Sequence, residues 1–356
     1  MAQKNKKSIN FWFFTGHSIG VTLLGIHALE AARKEFSQQF NTKLFLVLTK
    51  KTDYVERMLI NYPHITVVIL ERSSPWFFVQ LIFKKCIEKN YFLYPPNFGD
   101  APLAVRWFSF LICRLNGRGR VIAFTRDNKF KNYFFYSHRL LLDLHRNIFL
   151  AVAEAWTLGR AMEVSRPGLI FSLDAEYAKE LHYKYIVIHP YGSSERRSYP
   201  SRYTQNLVDY LVNRYPDYKI IISGGPMDRG AAEFLIKKVR LPNNILFIGD
   251  ITKNDFSKMV QVISNACLYI GVDTGITHLA AHLRVPSIVL GNLSNPMWLP
   301  DYSGTTVTLA NTEKCTCTGD KLGSCLRVVD GVEYYSCMVD VPWQTIVSTV
   351  NSTLHE

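Results

Sequence analysis

Asp273, Thr274 and Gly275 stand between a β-branched run over residues 268–272 and a segment of helical pattern that ends near Pro286. A turn of this kind, at the carboxyl end of a strand and opening a helix, aims backbone amides at a place where a phosphate can sit. His278 lies about one helical turn further on and can point toward the same mouth. Two other strand-like runs end in similar turns. Residues 185–189 lead into Pro190-Tyr191-Gly192-Ser193-Ser194, with Arg197 just beyond, and residues 219–223 lead into Gly224-Gly225-Pro226, with Asp228 just beyond. In a doubly wound α/β sheet all three turns fall on one edge, the edge where such sheets bind ligands. The competing reading is ordinary loop chemistry, because Asp and Ser before helices are N-caps more often than ligands.

These turns require strands and helices in alternation, and the chain supplies them twice. In the first half, strands are expected at 9–14, 42–49, 66–70, 91–94 and 120–124. Helices are expected at about 21–36, 52–61, 73–89 and 101–115, followed by a long one at about 131–158. The second half repeats the pattern, with strands at 185–189, 219–223, 245–247 and 268–272, and helices at 203–215, 228–239 and 254–264. Alternation predicts mostly parallel sheets flanked by helices. The fold class is therefore α/β, with two Rossmann-like domains facing across a cleft. The boundaries are 1–165 for the first domain, 166–184 for a linker and 185–337 for the second domain, which includes a Cys-rich loop at 311–337. A last helix is expected at 338–356.

The net charge of +12 is unevenly spread: residues 1–184 hold 26 Lys and Arg against 14 Asp and Glu, and the remainder is balanced. A basic first half suits an anionic partner such as a phosphorylated glycolipid or a membrane surface. Nucleic acid is disfavoured, since no recognisable binding module is present. The apolar stretch 11–29 is interrupted by Gly16, His17, Ser18, Gly20 and Gly25, and Glu30 and Arg33 continue a helical pattern after it. It reads as a buried strand, a Gly-rich loop and a helix, not as a signal peptide or anchor.

Taken together, the motifs resemble glycosyltransferase family 9, the heptosyltransferases that build lipopolysaccharide inner core from ADP-heptose. The matching positions are Asp273, Thr274, Gly275, His278, Ala280, Ala281 and Pro286, and His189-Pro190-Tyr191 leading to Arg197-Ser198-Tyr199-Pro200. The resemblance implies a GT-B fold with an acceptor domain first, a donor domain second, and the final helix at 338–356 packing back on the first domain. It also implies inverting, metal-independent transfer, which agrees with the lack of a D-x-D element. Arg197 takes the place of a diphosphate-binding Lys, and Ser193, Ser194, Thr274 and Gly275 surround the same phosphates. Asp273 corresponds to the residue that contacts donor-sugar hydroxyls, while Gly224 and Asp228 lie toward the nucleoside ribose. The implied partners are a nucleotide-sugar donor and an anionic glycan or lipopolysaccharide-core acceptor. The implied location is the cytoplasm, with peripheral inner-membrane contact through the basic half.

An inverting transfer needs a base for the acceptor hydroxyl proton. The family's base, an Asp after a Gly in the first strand–helix loop, aligns with Val21 here. His17, in the same loop, and Asp100, after Pro95-Pro96-Asn97-Phe98-Gly99, are the substitutes. A chain without a base would instead be a sugar-nucleotide-binding scaffold or regulatory subunit, and a transferase modifying protein acceptors is a further alternative. Cys315, Cys317, Cys325 and Cys337 lie within 23 residues. Four thiolates in one loop can form a tetrahedral site for structural zinc or iron, as in the iron-binding cysteine finger of autotransporter-modifying heptosyltransferases. Reduced thiols without metal are the other reading. No cofactor is expected for catalysis.

Overall fold

The structure is a computed structural model describing residues 6–16, 18–71, 75–85, 87–95, 102–115, 119–125, 135–141, 148–157, 183–239, 245–248, 256–291, 305–311 and 325–355. The chain divides into two compact units, Met1–Pro167 and Gly168–Glu356. Most of the expected linker lies outside the described residues.

The first unit holds six parallel strands: β1 (Ser8–Gly16), β2 (Asn41–Leu48), β3 (Ile65–Ile69), β4 (Lys89–Tyr94), β5 (Arg120–Thr125) and β6 (His138–Leu141). Their order is β3-β2-β1-β4-β5-β6. A central parallel strand is covered on both faces, so its sequence is continuously apolar rather than alternating. In β1, Phe11 packs toward Trp156, whose indole donates to Ala28 O at 2.8 Å in the helix Ile19–Phe36. On the other face Trp12 stacks on Phe45 with ring centroids 3.9 Å apart, and its indole donates to Asn90 Oδ1 at 2.9 Å. The helices Pro75–Lys85 and Leu103–Arg114 cover that second face, through Leu81, Ile82, Val105, Phe108 and Ile112.

The long helix expected at 131–158 does not form. β6 occupies 138–141 and a helix runs only over Ile148–Ala155. A short apolar run has no period of its own, and this one completes the sheet beside β5. The helix expected at 73–89 likewise ends at Lys85, because Lys89 and Asn90 pair with Ile9 and Asn10 at the start of β4.

The second unit repeats the architecture. Its strands are β7 (Tyr185–His189), β8 (Lys219–Ser223), β9 (Ile245–Ile248), β10 (Leu268–Val272), β11 (Ser287–Leu290) and β12 (Thr306–Leu309). They form a parallel sheet in the order β12-β11-β10-β7-β8-β9. A hairpin follows, β13 (Leu326–Val329) and β14 (Val332–Tyr335), closed by Asp330-Gly331 with φ of 49° and 83°. Two consecutive positive φ values define the turn whose twist matches paired strands, and Asp-Gly is its favoured sequence. Neither β12 nor this hairpin was among the expected elements.

The final helix, Trp343–His355, contributes Ile346, Val350 and Leu354 to the core of the second unit. Asn351 Oδ1 accepts from the hydroxyls of Tyr210 and Tyr215, each at 2.7 Å. Its apolar stripe is spent in the second unit. Ile346→Ala should therefore lower the stability of the second unit by about 2–5 kcal/mol. Denaturant unfolding monitored by hydrogen exchange in β7 and β8 would register the loss; unchanged protection there would contradict this packing.

Candidate functional site

In the second sheet the chain runs outward from β7 to β8 and β9, then returns to the other side of β7 with β10, β11 and β12. The reversal leaves a crevice between the carboxyl ends of β7 and β10, the usual ligand position in an open α/β sheet. The loops after these two strands carry Arg197 and Asp273.

The loop after β7 is closed on itself. Tyr199 N donates to Pro190 O at 2.7 Å, Gly192 N to Ser198 Oγ at 2.9 Å and Arg197 N to Ser194 O at 3.0 Å. The fold-back brings the Arg197 backbone so close to Gly192 that a Cβ there would sit 2.6 Å from Arg197 O. The hairpin braces the loop from outside, with Arg196 bonded to Glu333 and Arg202 4.0 Å from Asp330.

The loop after β10 is fixed from below. Thr274 caps the helix Gly275–His282, its hydroxyl accepting from Thr277 N at 3.4 Å. The Thr277 hydroxyl bonds Val272 O and lies 2.9 Å from the buried Tyr269 hydroxyl. Tyr269 in turn folds over Gly271, where a Cβ would stand 2.5 Å from its oxygen.

Across the crevice Arg197 Nη2 donates to Asp273 Oδ2 at 2.9 Å, and Nη1 to Ser193 Oγ at 3.3 Å. The Asp273 side chain is 6% exposed and that of Arg197 36%. Burial raises the Asp273 pKa and the Arg197 charge opposes it, with burial prevailing. His278 Nε2 lies 3.8 Å from Asp273 Oδ1. This contact is not an ion pair, because burial, then the Arg197 charge, holds His278 neutral with a pKa of about 4. Arg197 Nε is buried and has no hydrogen-bond partner among the described residues.

The remaining candidates sort by position. His189 Nδ1 stitches the ends of β7 and β8, 3.0 Å from Ser223 O and 2.9 Å from Ser223 Oγ. Asp228 Oδ2 accepts from Gly225 N at 2.7 Å, so one of its oxygens serves the turn. Ser194 supplies its carbonyl to the loop, and its side chain is exposed to solvent. Tyr191, which sequence reasoning passed over, lies against Gly224 and Asp228: a Cβ at Gly224 would meet its ring at 2.8 Å. Its only signal was an aromatic residue between two turn formers.

His17, Asp100, Cys315 and Cys317 lie outside the described residues. Gly16 and Tyr94, which immediately precede the first two loops, end the adjacent strands β1 and β4, where the first sheet makes the same reversal. Val21 is buried in the first turn of its helix, its amide held by the Ser18 cap at 3.3 Å. Cys325 and Cys337 are both buried at the base of the hairpin, where Ser336 N donates to Cys325 O at 3.0 Å and Asn311 N to Cys337 O at 2.7 Å. Among the described residues no group of three His, Cys, Asp or Glu could hold a metal ion.

The model of glycosyltransferase family 9 (heptosyltransferase) matches residues 107–325, well over half of the chain and including both loops. The chain belongs to glycosyltransferase family 9. This family 9 chain is 23% identical over 177 residues to lipopolysaccharide heptosyltransferase 1 of Campylobacter coli, an alignment covering 44% of this chain and 49% of that protein. The chain thus spans about half the length of that curated relative. Among solved structures it is similar to a family 9 glycosyltransferase from Veillonella parvula (TM-score 0.70, 16% identity, 99% of each chain covered). It is also similar to ADP-heptose lipopolysaccharide heptosyltransferase II of E. coli (TM-score 0.67, 13% identity, 97% and 98% covered). A third is the iron-containing dodecameric glycosyltransferase TibC of enterotoxigenic E. coli (TM-score 0.57, 13% identity, 100% of this chain and 78% of that one). The two parallel-sheet units are those of the GT-B fold shared by these proteins.

The buried histidines set a pH dependence for the family 9 fold. His189 and His278 have folded pKa values of about 4, against about 6.5 in an unfolded chain. The unfolded chain therefore binds protons that the native one refuses, and stability falls as pH drops from 6.5 to 4. Asp273, raised by burial, works in the opposite sense. His278→Gln should make the fall shallower by about 1.4 kcal/mol per pH unit within that window. Urea unfolding at several pH values measures the slope, and an unchanged slope would mean that His278 is not buried neutral.

Proposed function

We propose that this chain transfers a heptose, or a related sugar, from ADP-heptose to an anionic glycan acceptor of the lipopolysaccharide core, with inversion and without a catalytic metal. The reading is carried by the Arg197–Asp273 pair at the β7/β10 reversal. The acceptor hydroxyl oxygen attacks the anomeric carbon as the bond to diphosphate breaks, so negative charge gathers on the departing phosphate. Arg197 offers the exposed end of its guanidinium, with Nη1 only weakly engaged, to those oxygens, and the amides opening the helix Gly275–His282 add fixed dipoles. Asp273 holds the guanidinium in place before the donor arrives and can accept from donor-sugar hydroxyls. Tyr191, Gly224 and Asp228 border the nucleoside side. The Val21 side chain cannot accept a proton, and the acceptor proton passes to His17 or Asp100 instead. The work is done at the cytoplasmic face of the inner membrane, with the basic first unit toward the anionic acceptor.

Arg197→Ala should reduce kcat/KM for the donor about 10²–10³-fold. Arg197→Lys should recover part of it, because an ammonium keeps the charge but not the planar fork of donors. Asp273→Asn should lose donor use while the donor-free protein unfolds at the same or a higher temperature, since burial makes the carboxylate costly. Full turnover in Arg197→Ala and Asp273→Asn would remove this site from the reaction.

The aliphatic Val21 favours a second reading, a sugar-nucleotide-binding scaffold without catalysis. Donor binding by calorimetry beside transfer to core glycans separates the two: tight binding with no transfer, unchanged by His17→Ala or Asp100→Ala, supports the scaffold.

The burial and proximity of Cys325 and Cys337 fit half of a structural thiolate site for zinc or iron, which Cys315 and Cys317 would complete. Bound metal would pin the base of the hairpin that braces the Arg197 loop. Metal analysis of untagged protein should give one equivalent, and chelation should lower the melting temperature. Seven titratable thiols with no metal would exclude it.

A further inference from the structure

At the opposite edge of the first sheet, the amino ends of β1, β4, β5 and β6 surround a cavity of about 890 Å³. Lys7, Lys89, Arg114, Arg120 and His138 line it, with Glu88 as the one carboxylate among the described lining residues. The Glu88 charge is already engaged, by Lys43 at 2.7 Å, Lys85 at 3.3 Å and the Asn10 amide at 2.7 Å. Aromatic rings hold two of the lining cations. Lys89 lies 5.0 Å from the Tyr91 ring centre and 5.7 Å from that of Phe40, and Arg120 lies 5.3 Å from Tyr91. A ring fixes a cation without neutralising it. His138 registers the resulting field: burial first, then Arg120 and Arg114, lower its pKa.

The rim of the cavity passes into apolar surface. Ile87, itself a lining residue, is 75% exposed, and Phe83 and Trp76 on the preceding helix are 71% and 67% exposed. Their spacing puts them on one helical face. The adjacent helix exposes Leu103 and Trp107 and ends at Arg114 in the cavity, with exposed Leu115 after it. The inner faces of both helices are spent in the core, so each helix is apolar inside and out. A cationic recess bordered by exposed Trp, Phe and Ile matches the layering of a membrane interface, where phosphates lie above the hydrocarbon boundary.

We propose that this corner of the first unit docks on an anionic phospholipid bilayer, with a headgroup phosphate in the cavity and the outer faces of the two helices in the interface. The docking deepens the membrane-facing reading above. Lipid binding and sugar transfer to a soluble acceptor fragment are measured separately, so either can fail alone.

The test is sedimentation of the full chain with vesicles of phosphatidylglycerol and phosphatidylcholine in equal parts, and with phosphatidylcholine alone, at about 0.1 M salt. Preference for the anionic vesicles should be about tenfold or more. Arg114→Glu combined with Arg120→Glu should abolish the preference, and Trp76→Ser combined with Phe83→Ser should weaken binding to both vesicles; thermal unfolding checks that each variant is folded. Brominated acyl chains should quench tryptophan emission less in Trp76→Phe, which stays apolar, than in the parent. Equal binding to both vesicle types, or anionic binding that survives charge reversal, overturns the proposal. So does saturable binding of glycerol phosphate without vesicle binding, which would assign the cavity to a soluble phosphate ester.

Discussion

A carboxylate buried at the carboxyl end of a strand is expensive unless a cation meets it. Asp273 is such a group, and Arg197 is the cation. The two stand 76 residues apart, on the loops after β7 and β10, and they meet because the chain reverses between these strands. Much of the local structure serves this contact. Gly192 admits the fold-back of one loop, and Gly271 leaves room for the tyrosine beneath the other. The net result still raises the Asp273 pKa, so Arg197 does not fully offset the burial of that carboxylate. A fold retains such a pair more readily for the guanidinium it presents than for the stability it adds.

The same pair explains the bracing around it. An arginine side chain loses much rotamer freedom when fixed, so a loop that presents one must itself be rigid. Here three internal hydrogen bonds close the loop, and the Asp330-Gly331 hairpin presses on it through Glu333. The buried cysteines at the base of the hairpin extend that support one layer outward. Cysteines remote from the β7 loop in sequence thus stand at the base of the hairpin that meets this loop at Arg196.

The second unit was the more legible of the two in the sequence. Its central strands are short, apolar through their middles and each followed by turn formers, so β7, β8 and β10 and the loops they carry could be placed from the residues alone. The first unit blurs this signal. In β6, His138-Arg139-Leu140-Leu141 has the length of a strand but no alternation, and neighbouring Leu and Phe extend a helical reading through it. The hairpin carried a clear mark in Asp330-Gly331, hidden beside a cysteine cluster that invited a metal reading. The position of the last helix was not legible, because an amphipathic stripe does not state its partner: Asn351 meets Tyr210 and Tyr215 only in three dimensions. Asp228 shows the converse limit, since a cap and a ligand look alike until the Gly225 amide is seen on its oxygen.

The charge asymmetry also gains a location. In the first unit the carboxyl ends of β1 and β4 lead to the loops that carry His17 and Asp100, while Lys7, Lys89 and Arg120 stand at the amino ends of β1, β4 and β5. Parallel strands make this separation automatic, because every strand start lies on one edge and every strand end on the other. Positive charge at the starts can therefore accumulate without entering the field of the loops at the ends, beyond a Debye length of about 8–10 Å. A sheet of six parallel strands gives one domain two electrostatically independent edges, and a basic half-molecule need not mean a basic active site.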